Sequence, residues 1–207
     1  MATVDSSSHA LPKSFDIFDI GAHQAVVALI LARIVGAGGK VIAVEANRHN
    51  AEVACENKEL NSAMNLEVIH AACAAQSGQI AFSLNDHVAD SKRNDGTKLI
   101  DSVSIDDLSK RYGRPDVLYI DVEGYECEVL RGVGLTLTGR PDCFVEVHKG
   151  VGLEIFGGSV QKLMTFFPES DFEVFYAAQD SDDYNKLSPN DALPGERFFL
   201  VALGKQK

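Results

Sequence analysis

Leu118-Tyr119-Ile120-Asp121-Val122-Glu123-Gly124-Tyr125-Glu126 is the stretch on which the reading of this chain turns. An apolar run of strand character stops abruptly in three acids gathered about a glycine. Burying an unpaired carboxylate is costly, so acids at a strand tip meet solvent, a cation or a ligand. In open α/β sheets, ligands bind just beyond the carboxyl ends of the strands. The stretch is therefore expected to floor a functional site. Three further tips share its character: Asp19-Ile20-Gly21, Val44-Glu45 and Glu146-Val147-His148.

Strand and helix signals alternate outward from this block. Residues 15–20, 41–44 and 66–69 read as short strands, and helical patterns at 26–35 and 50–60 separate them. The first helix stops at Gly36-Ala37-Gly38-Gly39, a sequence that cannot sustain it. Residues 79–84 and 102–105 read as strand pieces around a polar loop, 85–98, that holds the Asp95-Gly96 turn signal. A short helix at 106–112, with Asp106-Asp107 expected at its N-cap, leads to strand 117–120. Helix 126–132, strand 143–147, helix 160–167 and strand 172–176 follow.

A second polar loop, 179–196, contains Pro189, Pro194 and Gly195 and admits no helix. The last strand, 197–203, must then pair with its predecessor without a helical crossover, and an antiparallel arrangement is the simplest. The expected fold is α/β: a Rossmann-like, seven-stranded, mainly parallel sheet with an antiparallel C-terminal hairpin and helices on both faces. One domain, 15–207, is expected after a frayed polar tail, 1–14, that includes Ser6-Ser7-Ser8.

Composition bounds the function. The 207 residues are 45% hydrophobic and 24% charged, values of an ordinary globular protein with a sizeable core. No run approaches the roughly 18 apolar residues of a membrane span, and the N-terminus lacks a signal pattern, so a cytoplasmic setting without membrane partners is expected. A net charge of −11 repels phosphate backbones, which argues against nucleic acid. Cys55, Cys73, Cys127 and Cys143 form no CxxC pair, so neither zinc nor disulfides are expected, and each thiol is read as a small packed hydrophobe.

The tips can be assigned chemistry. The turn Asp19-Ile20-Gly21-Ala22-His23-Gln24-Ala25 has one glycine, whereas a dinucleotide fingerprint needs G-x-G-x-x-G to lay pyrophosphate on the backbone. A cofactor with an amino acid portion would instead use Asp19 to hold its ammonium group, with His23 capping the helix or touching ligand. Glu45, followed by Ala46 and Asn47, ends the second strand, where a carboxylate can accept both hydroxyls of a ribose. Asp121 is the candidate general base or substrate anchor. Glu126 falls in the first turn of a helix, where the dipole favours an acid, and is read as a cap. Glu146 and His148 alternate and so share one face; they can take a proton from a hydroxyl or join Asp121 around a divalent cation. The sequence leaves metal use and oligomeric state open.

In this order, these segments resemble the FkbM-type SAM-dependent methyltransferases. The resemblance rests on Asp19-Ile20-Gly21-Ala22, Val44-Glu45-Ala46-Asn47, Asn57 and Asn61, Ser104-Ile105-Asp106-Asp107-Leu108, the Asp121-to-Glu126 block and Glu146-Val147-His148. It implies transfer of a methyl group from S-adenosyl-L-methionine to an oxygen, typically a hydroxyl of a sugar or other small molecule. Asp19, Gly21, Ala22, His23, Glu45, Ala46 and Asn47 would then surround the cofactor, and Asp121, Glu146 and His148 would line the acceptor side. His23-Gln24-Ala25 stands where the family has Asn-x-Gly, and the Ala25 methyl is expected to narrow the approach to the cofactor's amino acid tail. That departure motivates a second reading, a catalytically degenerate methyltransferase fold that binds a ligand or partner. A nicotinamide oxidoreductase is disfavoured by the missing glycines and the terminal hairpin. The two polar loops, 85–98 and 179–196, are expected to shape the acceptor pocket.

Overall fold

A computed structural model describes residues 15–83, 88–89, 97–181, 183–188 and 191–205; the tail 1–14 and most of the loop 85–98 lie outside these. The first half runs β1 (Asp16–Ile20), α1 (Val26–Val35), β2 (Lys40–Glu45), α2 (Arg48–Leu60) and β3 (Leu66–His70). Four short strands follow: β4 (Ala72–Cys73), β5 (Gly78–Ser83), β6 (Val88–Ala89) and β7 (Thr97–Val103). The second half runs α3 (Ile105–Tyr112), β8 (Val117–Ile120), α4 (Glu126–Leu130), α5 (Gly134–Leu137), β9 (Asp142–Val147), α6 (Val160–Met164), β10 (Phe172–Ala178), β11 (Asn185–Lys186) and β12 (Phe198–Gly204).

The main sheet has the order β11-β10-β12-β9-β8-β1-β2-β3. Its five strands from β9 to β3 are parallel, and β12 inserts antiparallel between β9 and β10. The antiparallel end anticipated from the helix-free loop is therefore present. The eighth strand is the two-residue β11, which pairs with β10 at Phe175 and Tyr176; so short an element leaves no periodic signal in the sequence.

The strand pieces expected at 79–84 and 102–105 do not join this sheet. After β3 the chain turns at Ala71, whose amide bonds Glu45 O, and builds a separate four-stranded sheet, β4-β7-β5-β6. Its centre is the antiparallel β5–β7 pair.

The two faces of the main sheet are packed differently. Against one lie α1 and α2, and the layer is mostly alanine: Ala22, Ala25, Ala28, Ala32, Ala43 and Ala54 with Ile17, Val41 and Leu66. Such small side chains let helices approach the sheet closely. The other face buries larger groups, among them Phe18, Ile20, Leu108, Leu118, Leu130, Leu163, Phe167 and Phe198. Two local expectations are corrected. The N-cap of α3 is Ser104, which accepts the Asp107 amide, while Asp106 reaches across to the Leu135 and Thr136 amides at the start of α5. Cys55 is exposed rather than packed, and the other three thiols are buried and unpaired. No helix among the described residues is long and apolar enough to cross a membrane.

Candidate active site

The sheet order reverses between β1 and β8: β2 and β3 lie on one side of β1, and β9 lies beyond β8. The crevice at such a switch point is where open α/β sheets bind ligands. The β1 and β8 tips are held together there by the Asp121 amide, which donates to Ile20 O at 2.9 Å.

Gly21 fixes how close the two tips come. It has φ +89°, and a Cβ there would sit 1.7 Å from the Asp121 carbonyl oxygen. The close approach it permits is thus by protein backbone, where the sequence suggested a ligand. The amides of Gly21 and Ala22 both donate to Val44 O, and that of His23 donates to Glu45 Oε2 at 2.8 Å. With these amides spent, the turn presents carboxylates to the crevice. Asn57 of α2 pins the turn from behind through the Gln24 carbonyl.

Asp19 is 1% exposed, and its Oδ2 has no hydrogen-bond partner. Burial, with the nearby charges of Asp121 and Glu45 adding to it, pushes its carboxyl up to about 7. Glu45 is buried at the β2 tip and accepts the His23 amide on one oxygen and the Asn47 amide on the other. A carboxylate has about four acceptor positions, so two remain for hydroxyl donors. Asn47 spends its side chain capping α2 through the His49 and Asn50 amides, Ala46 is half-buried beside it, and the His23 side chain is exposed. Ala25 corrects the expectation of a narrowed pocket. It adopts the left-handed φ of 62° that the family's glycine would take freely, but it is wholly buried among the alanines under α1.

At the opposite lip, ligand-capable atoms of Asp121, Glu146 and His148 all lie within 4.8 Å of one another. Glu146 neighbours Asp121 and is ion-paired to Arg197, at the start of β12. Burial, then the charge of Glu146 and a hydrogen bond with it, raise Asp121 to about 7. His148 is buried. Its Nδ1 meets Glu126 Oε1 at 2.6 Å, and its Nε2 lies 3.1 Å from Glu123 Oε2 and 3.7 Å from Asp121 Oδ1 without an aligned hydrogen bond. Burial alone would lower the imidazole, but the adjacent carboxylates of Glu123 and Glu126 outweigh it and push the ring up to about 10. These surroundings favour the charged imidazole, and they raise Asp121, like Asp19, toward neutrality.

Glu126, read as a helix cap, does more than cap. Its side chain is completely buried, with Oε1 accepting the Gly124 amide at 2.9 Å as well as meeting His148. The turn that makes this possible has Glu123 at φ +50° and Gly124 at φ +104°. Gly124 packs backbone to backbone on Gly152, where a Cβ would fall 2.4 Å from the Gly152 carbonyl carbon. Arg197 and the inward turn of Glu126 escaped sequence reasoning. Arg197 comes from a strand 51 residues away from its partner, and nothing local marks Glu126 as buried.

Residues 19–174 match the family model of the methyltransferase FkbM domain. The chain belongs to the FkbM methyltransferase family. It is 34% identical to the hexuronic acid methyltransferase AglP of Haloferax volcanii over 83 residues, 38% of this chain and 35% of that protein. The FkbM methyltransferase structure from Methylobacillus flagellatus aligns with TM-score 0.62 at 15% identity, over 92% of this chain and 44% of that one. Aeropyrum pernix fibrillarin, solved with natively bound S-adenosyl-L-methionine, aligns with TM-score 0.55 at 14% identity over 92% of this chain and 67% of that one. A putative rRNA methylase from Clostridium thermocellum aligns with TM-score 0.57 at 10% identity, over 94% and 89% of the two chains. At these identities the structural likenesses establish the fold, that of class I methyltransferases. The Methylobacillus flagellatus protein is more than twice as long as the part of it matched here, and this chain spans about a third of the length of AglP.

Proposed function

We infer that this FkbM-family chain is a SAM-dependent O-methyltransferase acting on a hydroxyl of a small, oxygen-rich molecule, a sugar or uronic acid foremost. The observation that carries the reading is the buried, unpartnered Asp19 Oδ2 at the switch point, with Glu45 beside it. A carboxylate buried without a partner is costly, and an ammonium group arriving there would satisfy it. The remaining acceptor positions of Glu45 suit the two hydroxyls of a ribose. Gly21, Ala22, His23, Ala46 and Asn47 build the turns that hold these two acids in place.

When bound, SAM supplies an electrophilic methyl group on a sulfonium centre. Asp121 takes the proton from the acceptor hydroxyl as its oxygen becomes nucleophilic, a task suited to a carboxyl raised to about 7. Glu146, held by Arg197, keeps Asp121 in that range. His148 is fixed by Glu126 beside the same spot and adds a positive charge where the hydroxyl oxygen becomes anionic. Alignment of the oxygen with the methyl group is the other requirement, and the crevice walls provide it.

The partial likeness to a hexuronic acid methyltransferase supports a sugar-derived acceptor. The charge of −11 weighs against polyanionic nucleic acid, and the free thiols accord with a cytoplasmic setting. Calorimetric titration with SAM and NADH is the first test, followed by transfer of a radiolabelled methyl group to a panel of hexoses and uronic acids. No SAM binding at millimolar concentration sinks the reading. NADH binding would favour an oxidoreductase, and SAM binding without transfer to any acceptor would favour the degenerate binding protein.

A further inference from the structure

We propose that Asp121, Glu146 and His148 form a binding site for one divalent cation, with Glu126 as the residue that orients the imidazole. The proposal deepens the acceptor-side reading above and rests on it.

The first support is the state of His148. Metal-binding histidines are characteristically held by a carboxylate on the ring nitrogen that faces away from the ion, which fixes both tautomer and direction. Glu126 Oε1 stands in that relation to Nδ1 at 2.6 Å, and both side chains are buried, His148 to 1% exposure. Nε2 is thereby aimed into the cluster, where it has no aligned hydrogen bond. A buried polar group left in that condition needs an explanation.

The second support is that Asp121 Oδ1 is also buried and unpartnered, 3.7 Å from Nε2. An ion about 2.1 Å from each atom fits between them. Glu146 approaches from β9, the next strand, and its ligand-capable oxygen falls within the same 4.8 Å as the other two donors. Arg197 engages Glu146 through Oε1 and so fixes that side chain beside Asp121. Glu123, exposed at the mouth with Oε2 3.1 Å from Nε2, would supply a further oxygen.

Carboxylate oxygens joined by one imidazole suit an oxygen-seeking divalent ion such as Mn2+ better than a thiolate-seeking one. Three protein donors, or four with Glu123, leave positions open for acceptor oxygens, and adjacent hydroxyls or a carboxylate would chelate there. Binding exchanges the Nε2 proton for the cation.

The test uses the full chain stripped with EDTA and titrated with Mn2+ alone, the free ion being read by electron paramagnetic resonance. The expected result is one Mn2+ per chain, with imidazole nitrogen coupling in the electron spin-echo spectrum of the wild type. Glu126→Gln, which preserves size, should weaken binding by about 10–100-fold, and His148→Ala should remove the nitrogen coupling. Absence of Mn2+ binding at millimolar concentration, or binding without nitrogen coupling in the wild type, overturns the proposal without recourse to any variant. A SAM titration in EDTA separates the two readings: SAM binding without Mn2+ binding refutes the cation site alone, and loss of SAM binding refutes the cofactor reading.

Discussion

Replacing Asp19 with asparagine should make the chain more stable while removing its capacity to hold SAM. Asp19 is almost fully buried, and its carboxyl is raised from 3.8 to about 7 by burial, with the charges of Asp121 and Glu45 adding to it. A raised value means that the folded chain holds the proton more tightly than the unfolded chain does. The corresponding stability is present below 3.8 and is lost as pH rises through about 7. At 1.36 kcal/mol per pKa unit, the ionised carboxylate costs the fold about 4 kcal/mol near pH 8 and about 2 kcal/mol near pH 5. Asparagine has no such charge, although its buried amide brings a pH-independent cost of about 1–3 kcal/mol if left unpartnered. The effect of Asp19→Asn relative to wild type should therefore become more stabilising by about 2 kcal/mol between those two pH values. Urea denaturation of both proteins at each pH measures this, and subtraction cancels the titration of groups not coupled to Asp19. Calorimetry with SAM should show binding lost. A stability difference that does not move with pH would refute the argument that Asp19 is a charge held against its own burial, and retained SAM affinity would refute its role.

Three further outcomes are expected. Gly21→Ala places a methyl on backbone oxygen at a positive φ, so thermal denaturation should register a loss of about 3 kcal/mol or more, and a loss below 1 kcal/mol would contradict the close β1–β8 crossing. Ala25→Gly relieves a left-handed alanine by about 1 kcal/mol but loses a buried methyl worth about 0.8 kcal/mol and raises unfolded-state entropy. Its stability should stay within about 1 kcal/mol of wild type, and its SAM affinity should be unchanged; a tenfold tighter SAM complex would mean that the methyl does obstruct the pocket. At saturating SAM, turnover should rise with pH through about 7 as Asp121 loses its proton, and a rate that is flat or falling across that range would exclude Asp121 as the base.

The sequence alone determined the alternation of elements, because strand runs such as Val117–Ile120 and the helix Val26–Val35 are local patterns bounded by glycine or acid. It also determined which strand tips carry acids, since an acid ending an apolar strand is visible without coordinates. The antiparallel end followed from a loop that no helix can occupy. Tertiary structure alone decided which groups meet there and in what state of charge. Glu126 was legible as a cap because helix position is local, whereas its burial depends on the crossing of Gly124 over Gly152. Ala25 looked like an obstruction because the direction of a methyl group is set by packing, and here it points into the alanine layer. The ion pair of Arg197 with Glu146 and the buried bond of Glu126 to His148 join segments far apart in the chain. Burial and neighbouring charge, which exist only once the strands are assembled, give a row of ordinary acids the states on which the proposed roles of base, ammonium anchor and cation site rest.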